Sequence, residues 1–296
     1  MCGIYGIIDK SEIRLADFTL GLKTLDKRGP DNNEYKLIKP NLIFGHTRLS
    51  IIDIDKKSNQ PFSNDENYWL TFNGEIYNYK ELKEELVSLG YKFKTQSDTE
   101  VLLNSYKHWG ETCVNHFNGM WSFALYDVKK EKLFCSRDRF GIKPFYYTFV
   151  NGVFIFSSNI KAILAYQPNL KVPNFEALDE YILRGNTGSS EMTWFKNIKR
   201  LQPSNNLIFH EESLKTTNYY TLNFKKTKDD FNSAKINFKN LLFDAVKLRL
   251  RSDVKIASTL TTGTDSSSIT VIAAKNQIIE TFTVFSKNNA FSKSDK

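Results

Sequence analysis

The residues best suited to chemistry stand at the start of this chain of 296 residues, in Met1-Cys2-Gly3-Ile4. If the initiator methionine is removed, the thiol of Cys2 and a free α-amine belong to the same residue. An α-amine titrates at about 7.7–8.0, so at neutral pH part of it can accept a proton from the thiol or from an attacking water. Cys2 could therefore be a nucleophile with its own base. The alternative is a small residue at a frayed terminus.

Other candidates supply a guanidinium, a carboxamide and a carboxylate from separate motifs. Arg48 lies in GHTRLSIID (residues 45–53), Asn73 and Gly74 begin NGEIYN (residues 73–78), and Asp98 lies in SDTE (residues 97–100). Each has a structural alternative. Arg48 could be a surface arginine on a strand, Asn73-Gly74 a type I′ hairpin turn, and Asp98 a carboxylate that complements a helix dipole.

The elements that must position these motifs are short strands and amphipathic helices. Apolar alternation predicts strands at 4–8, 35–38, 42–52, 68–72, 120–127, 132–137, 145–148 and 153–157. Helical periodicity and capping boxes at Asn78/Glu81 and Ser97/Glu100 predict helices at 15–27, 79–89, from 98 onward and at 175–183. After the polar segment 225–230, a helix at 231–250 and a βαβ unit (254–260, 266–275, 281–285) indicate a second domain of another fold class.

Composition excludes several classes of protein. Hydrophobic residues make up 41% and charged residues 25%, which is typical of a globular chain. No apolar run is long enough to span a membrane and the N-terminus lacks the basic region of a signal peptide, so we predict a cytoplasmic protein. The three cysteines and the histidines have no ligand spacing, so we predict no metal site. The net charge of +8 comes from scattered lysines, and we predict no nucleic-acid or membrane partner.

Taken in order, the motifs resemble those of glutamine-hydrolysing asparagine synthetases: MCGI (1–4), GHTRLSIID (45–53), NGEIYN (73–78), SDTE (97–100) and RDRFGIKP (137–144). The resemblance implies that residues 1–200 form a class II glutamine amidotransferase domain with the α+β N-terminal-nucleophile fold, an αββα sandwich. Residues 201–230 would be a connecting segment and linker. Residues 231–296 would be a truncated α/β adenine-nucleotide-binding domain, similar to PP-loop ATP pyrophosphatases, because one βαβ unit cannot bury both faces of such a sheet.

The resemblance also implies a role for each candidate residue. Cys2 would attack glutamine, while the Asn73 side-chain amide and the Gly74 backbone N–H would bind the oxyanion. Arg48 would bind the α-carboxylate of glutamine and Asp98 its α-ammonium group. Glutamine hydrolysis requires no cofactor, and the turn at 137–144 receives no chemical role. The remaining residues implied for the glutamine pocket are Leu49, Ser50, Ile51, Ile52 and Glu75.

The loop at 260–267 is similar to the family's pyrophosphate loop, Ser-Gly-Gly-Leu-Asp-Ser-Ser, but departs from it. Thr261 replaces serine, Thr262 replaces the first glycine and Thr264 replaces leucine. A β-branched residue in place of glycine disfavours a positive φ and crowds a phosphate, which argues against ATP and Mg²⁺ at this loop. The ATP contacts that the resemblance implies are Leu260, Thr261, Gly263, Asp265, Ser266 and Val284.

The predicted reaction is therefore hydrolysis of glutamine to glutamate and ammonia. In a complete family member the ammonia passes to an adenylated aspartate, so the implied partners are glutamine and, if the second half functions, ATP and aspartate. A homodimer is left open. Two alternatives also stay open. One is an amidotransferase that acts on a sugar or peptide. The other is a non-synthetic glutaminase or a non-catalytic regulatory remnant, and retention of Met1 would support the non-catalytic form.

Overall fold

A computed structural model describes residues 1–185 and 190–284 of the protein. They divide into compact units at Met1–Leu222 and Asn223–Lys296. None of the helices within the described ranges is long and apolar enough to cross a bilayer.

The first unit is built from antiparallel strands and from helices that lie between them in sequence. The helices are α1 (Leu15–Lys23), α2 (Tyr79–Ser88), α3 (Asp98–Trp109), α4 (Ile160–Tyr166) and α5 (Phe175–Arg184). The strands are β1 (Gly3–Ile8), β2 (Asn32–Lys39), β3 (Leu42–Arg48), β4 (Tyr68–Ile76), β5 (Gly119–Asp127), β6 (Lys132–Arg137), β7 (Tyr146–Val150), β8 (Val153–Ser157), β9 (Lys199–Arg200), β10 (Asn205–His210) and β11 (Ser213–Asn218).

These strands form a sandwich of facing sheets covered by helices. One sheet has the order β2-β3-β1-β8-β7-β9 and the other has the order β11-β10-β6-β5-β4. Buried apolar residues of both sheets, such as Phe44, Phe156 and Leu207, form a core between them. Separate cores join α1 and α4 to the first sheet, and α2 and α3 to the second. The predicted αββα sandwich is confirmed.

The alternative that Asn73-Gly74 forms a hairpin turn does not hold. Both residues lie inside β4, where Asn73 is opposite Ser122 and Gly74 is opposite Trp121 in β5. The glycine allows a close approach of these strands, because a Cβ at Gly74 would lie 2.2 Å from the carbonyl oxygen of Met120. The Asn-Gly pair therefore does not form a turn here; its glycine permits the close pairing of β4 with β5.

The two predicted capping boxes have different outcomes. Ser97 caps α3, since its Oγ accepts a hydrogen bond from the Thr99 N–H at 3.0 Å. Glu100 reaches further back and accepts from the Thr95 N–H at 2.7 Å. Asn78 does not cap α2 with its side chain. Its side-chain amide instead makes hydrogen bonds to the loop before β5. The capping box predicted at Asn78 is therefore wrong.

The first unit continues past residue 200, where the sequence placed the domain boundary. β10 pairs with β6, and Leu207 and Phe209 are buried in the core between the sheets. Burial of these side chains explains why the compact unit extends to Leu222. Strand β3 is shorter than expected and ends at Arg48, which leaves residues 49–55 as a loop.

The second unit contains the predicted βαβ arrangement. Its elements are α6 (Phe231–Arg249), β12 (Ala257–Thr259), α7 (Thr264–Ala274) and β13 (Glu280–Phe282). β12 and β13 are parallel, with α7 as the crossover, and α6 packs on α7 through Val246, Ile272 and Ala273. The expected strand end at Phe285 and the polar stretch that follows lie outside the described residues.

Candidate active site

Most of the predicted glutamine-site residues meet around one pocket, which contains about 320 Å³ of empty space partly open to solvent. The N-terminus, the loop after β3, strand β4 and the start of α3 form its walls. The predicted residues that line it are Cys2, Arg48, Leu49, Ile51, Ile52, Gly74, Glu75 and Asp98. Motifs that are far apart in sequence are therefore neighbours in space. Ser50 and Asn73 are sequence neighbours of lining residues but do not line the pocket themselves.

Cys2 is held against the loop that follows β3. Its Sγ accepts a hydrogen bond from the Leu49 N–H at 3.4 Å, and the Leu49 carbonyl oxygen lies 3.6 Å from the sulfur. The Arg28 Nε donates to the Cys2 carbonyl oxygen at 3.0 Å and fixes the backbone. Burial raises the pKa of the Cys2 thiol, and the Leu49 N–H opposes that effect. Thiolate formation here therefore depends on the groups around the sulfur.

Asn73 offers a hydrogen-bond donor that has no acceptor. Its side chain is only 1% exposed. Its Nδ2 is buried without a partner in the part of the chain that the structure describes. A buried unpaired donor typically costs about 1–3 kcal/mol, so it is a feature that a bound acceptor would relieve. An oxyanion beside Gly74 would be such an acceptor.

Glu75 and Asp98 form a pair of carboxyl groups in the pocket. Asp98 is buried at the N-terminus of α3, and its Oδ2 accepts from the Ile76 N–H at 3.0 Å. Burial raises the pKa of Asp98 to about 6. Burial and the Asp98 charge raise the pKa of Glu75 to about 9, and the Glu75 Oε2 is buried without a partner among the described residues. At neutral pH the pair therefore carries about one negative charge and one proton, which suits a bound cation.

Arg48 is buried, so the alternative of a surface arginine does not hold. Its side chain is only 5% exposed, at the edge of the pocket. The guanidinium donates to the Asn59 Oδ1 at 2.7 Å and to the Asp55 carbonyl oxygen at 2.9 Å. It also donates to the carbonyl oxygens of Ile52 and Asp53. Arg48 therefore shapes the loop at 49–55, and its role toward a substrate carboxylate stays a prediction.

Sequence reasoning missed Gln60 and Thr99, which line the pocket and hold β4 in place, and His46, which also contacts β4. The Phe72 N–H donates to the Gln60 Oε1 at 2.6 Å, and the Gln60 Nε2 donates to the Thr99 Oγ1 at 3.3 Å. His46 Nε2 lies 3.1 Å from the Phe72 carbonyl oxygen, and burial lowers the pKa of His46 to about 3. A neutral His46 therefore donates to that oxygen from Nε2. The sequence did contain a signal for these residues, because they are polar side chains among apolar neighbours.

In the loop at 260–267 of the second unit, several hydrogen-bonding groups pair with one another. The Thr261 and Ser266 hydroxyl oxygens are 2.7 Å apart, and the Gly263 N–H donates to the Thr261 Oγ1 at 3.2 Å. Thr262 is not among the residues with positive φ, and Gly263 has a φ of −67°. The loop therefore does not need the positive φ that a β-branched residue disfavours, and the crowding of a phosphate by Thr262 stays a prediction.

In the same loop the N–H groups of Thr261 and Gly263 already have hydroxyl acceptors, so these two donors are not available to a pyrophosphate group as the loop stands. Asp265 is exposed, Val284 is 93% exposed, and the Leu260 N–H donates to the Phe282 carbonyl oxygen at 2.9 Å. Within the described ranges no group of three or more histidine, cysteine, aspartate or glutamate side chains could hold a metal ion. The ATP and Mg²⁺ contacts of this loop stay a prediction.

Comparisons with known proteins divide the chain near the boundary between its two compact units, at Leu222. A family model described as a glutamine amidotransferase domain matches residues 1–220, and one described as asparagine synthase matches residues 237–295. The chain is 40% identical over 281 residues to asparagine synthetase [glutamine-hydrolyzing] 3 of Bacillus subtilis, covering 93% of this chain and 45% of that protein. It is 38% identical over 315 residues to a putative asparagine synthetase [glutamine-hydrolyzing] 2 of Methanocaldococcus jannaschii, covering 99% and 59%.

The chain thus spans about half the length of the curated relatives it matches. Among solved structures, it is similar to a glutamine phosphoribosylpyrophosphate amidotransferase from B. subtilis. The TM-score is 0.54 at 17% identity, over 97% of this chain and 67% of that one. At this identity the likeness shows the fold alone.

Proposed function

Because the chain belongs to the glutamine amidotransferase domain family, we propose that it hydrolyses glutamine to glutamate and ammonia with Cys2 as the nucleophile. One observation carries the proposal. The Cys2 sulfur, Gly74 and the Glu75–Asp98 carboxyl pair surround a single pocket, with the unpartnered amide of Asn73 beside it. We assign this activity to the unit Met1–Leu222.

The reaction would proceed through a thioester. Removal of Met1 would free the α-amine of Cys2, which takes the thiol proton as the sulfur attacks the carboxamide carbon of glutamine. The carbon–nitrogen bond then breaks, the leaving nitrogen takes that proton, and ammonia departs. Water next adds to the γ-glutamyl thioester. Cleavage of the carbon–sulfur bond releases glutamate and restores the thiol.

The remaining residues would stabilise charge. The Asn73 amide and the Gly74 N–H would donate to the oxyanion of the tetrahedral intermediate. The α-ammonium group of glutamine would take the place of the proton shared by Glu75 and Asp98. Arg48 would bind the α-carboxylate, and the loop residues Leu49, Ser50, Ile51 and Ile52 would close around the substrate.

The ammonia would serve asparagine synthesis in the cytoplasm. The relatives are named asparagine synthetases, and residues 237–295 match the asparagine synthase model. Aspartate and ATP with Mg²⁺ are the further substrates that this implies. We assign no residue of the loop at 260–267 a step toward them, because the N–H groups of Thr261 and Gly263 already have hydroxyl acceptors.

Glutamate release from glutamine tests the proposal. Purified protein should produce glutamate, C2A should not, and C135A, which alters a buried cysteine in another part of the fold, should retain the activity. Intact mass should show loss of Met1, and a diazoketone analogue of glutamine should add to Cys2. Undiminished glutamate release by C2A would sink the mechanism.

A further inference from the structure

The turn that follows β6 has no role in the function proposed above, yet it is firmly held. The Asp138 carboxylate accepts hydrogen bonds from the backbone N–H groups of Phe140 at 3.1 Å, Ile142 at 2.9 Å and Lys143 at 3.0 Å. The Arg137 guanidinium donates to the Lys143 carbonyl oxygen at 2.7 Å. Both backbone groups of Lys143 are thus fixed by charged side chains.

Two further contacts secure the turn. Gly141 has a φ of +65°, a conformation that favours glycine, and its carbonyl oxygen accepts from Arg137 at 2.6 Å. The Asp138 N–H donates to the Trp121 carbonyl oxygen at 2.9 Å. Trp121 is the register partner of Gly74 in β4. The turn is therefore anchored beside the strand segment that carries the proposed oxyanion donors and Glu75.

This turn buries its lysine and exposes its apolar residues, the reverse of the usual arrangement. Lys143 is 5% exposed, whereas Phe140 is 67% and Ile142 is 57% exposed. Burying an ammonium group is costly unless opposite charge lies nearby. Burial lowers the pKa of Lys143, and the charges of Glu75 and Cys2 oppose that shift.

Several charged groups surround the Cys2 sulfur. Among the charges that act on the sulfur, the α-amino group of Met1 has the largest effect and favours the thiolate, Glu75 from β4 opposes it, and Lys143 from this turn favours it. Arg28, which binds the Cys2 carbonyl oxygen, is also affected by the charge of Cys2. Beyond these, Asp98 faces Glu75, Asp31 faces the amine and Asp138 faces Lys143.

We propose that Lys143 is a positioning residue for glutamine hydrolysis: a buried cation, held through its backbone by Arg137 and Asp138, that stabilises the thiolate of Cys2. The inference rests on the proposed function in one respect, namely that Cys2 is the nucleophile. Burial of the sulfur favours the protonated thiol. The positive charge of Lys143 opposes that effect, and Lys143 does not line the pocket.

The test is the pH dependence of Cys2 alkylation by iodoacetamide, compared among wild type, K143M and K143R. K143M should move the midpoint of the alkylation profile upward by at least about half a pH unit, which lowers the alkylation rate at pH 7 about threefold. K143R should restore the midpoint because it keeps the charge. Cys113 and Cys135 are buried, and C2A measures any background from them.

An identical midpoint in wild type and folded K143M would overturn the inference, as would a K143R profile that matches K143M. If K143M does not fold, K143Q serves as the neutral variant, and loss of the fold in both would show that the lysine is structural. Alkylation is measured without glutamine. A shifted midpoint together with full glutamate release by C2A would therefore refute the proposed function and leave the electrostatic role standing.

Discussion

Replacing Asn73 by alanine should separate stability from activity. The Asn73 Nδ2 is buried and unpartnered in the described part of the chain, so its removal breaks no hydrogen bond of that nitrogen. Relief of an unpaired donor, about 1–3 kcal/mol, is offset by the packing lost on truncation. The free energy of unfolding should therefore change by no more than about 1 kcal/mol. Loss of an oxyanion donor should raise the barrier by about 2.7–4 kcal/mol, which lowers kcat about 100- to 1,000-fold.

The assay is the initial rate of glutamate release at saturating glutamine, with urea unfolding of the same preparations. N104A is the matched control. Asn104 in α3 is also 1% exposed with a buried, unpartnered Nδ2, and its Oδ1 accepts from the Asn64 Nδ2 at 3.2 Å. N104A should lose stability and keep kcat. A folded N73A enzyme within threefold of the wild-type kcat, or an equally inactive N104A, would refute the reasoning.

Three further predictions concern stability. The raised pKa of Glu75, about 9, means that the folded chain keeps a proton that the unfolded chain releases above its ordinary pKa near 4.5. Stability should thus fall as the pH rises between these values. E75Q should have a higher melting temperature than wild type at pH 8, and the difference should shrink toward pH 5. A difference that does not change with pH would contradict this. G74A should lose about 1–3 kcal/mol in urea unfolding, because its Cβ would collide with the Met120 carbonyl oxygen; wild-type stability would contradict the pairing. Q60A should lose about 1–3 kcal/mol by the same measurement, since it leaves the Phe72 N–H buried without its acceptor; an unchanged value would mean that another acceptor replaces it.

The sequence predicted the bounds of strands that are set by neighbouring residues along the chain. The strands Lys132–Arg137 and Val153–Ser157 have the predicted bounds, because alternating apolar residues end at polar turns. Asn73-Gly74 carries an equally strong local signal, but the partner of β4 is Gly119–Asp127, more than forty residues further along. The close approach that requires glycine at position 74 arises only when β4 pairs with β5. Tertiary pairing therefore overrides the turn preference of these residues.

The candidate site was predictable in its residue types and not in its charge states. The motifs located Cys2, Arg48, Gly74 and Asp98, and the structure brings them to one pocket. The pKa values of the carboxyl pair depend on burial that several elements create together. Burial of Lys143 likewise depends on a turn held from β5, so composition alone places that lysine among the solvated ones.

Free of substrate, the pocket carries two unfavourable features that one ligand would relieve. The Asn73 amide nitrogen has no acceptor among the described residues, and the Glu75–Asp98 pair holds a proton in place of a cation. Glutamine has an ammonium group for the pair, and the oxyanion formed from its carboxamide is an acceptor for the amide. Binding of the ammonium group should lower the pKa of Glu75 and release a proton, so glutamine should raise the melting temperature more at pH 8 than at pH 6. The oxyanion contact forms only during the reaction. The Asn73 amide should therefore increase kcat and have little effect on the affinity for glutamine.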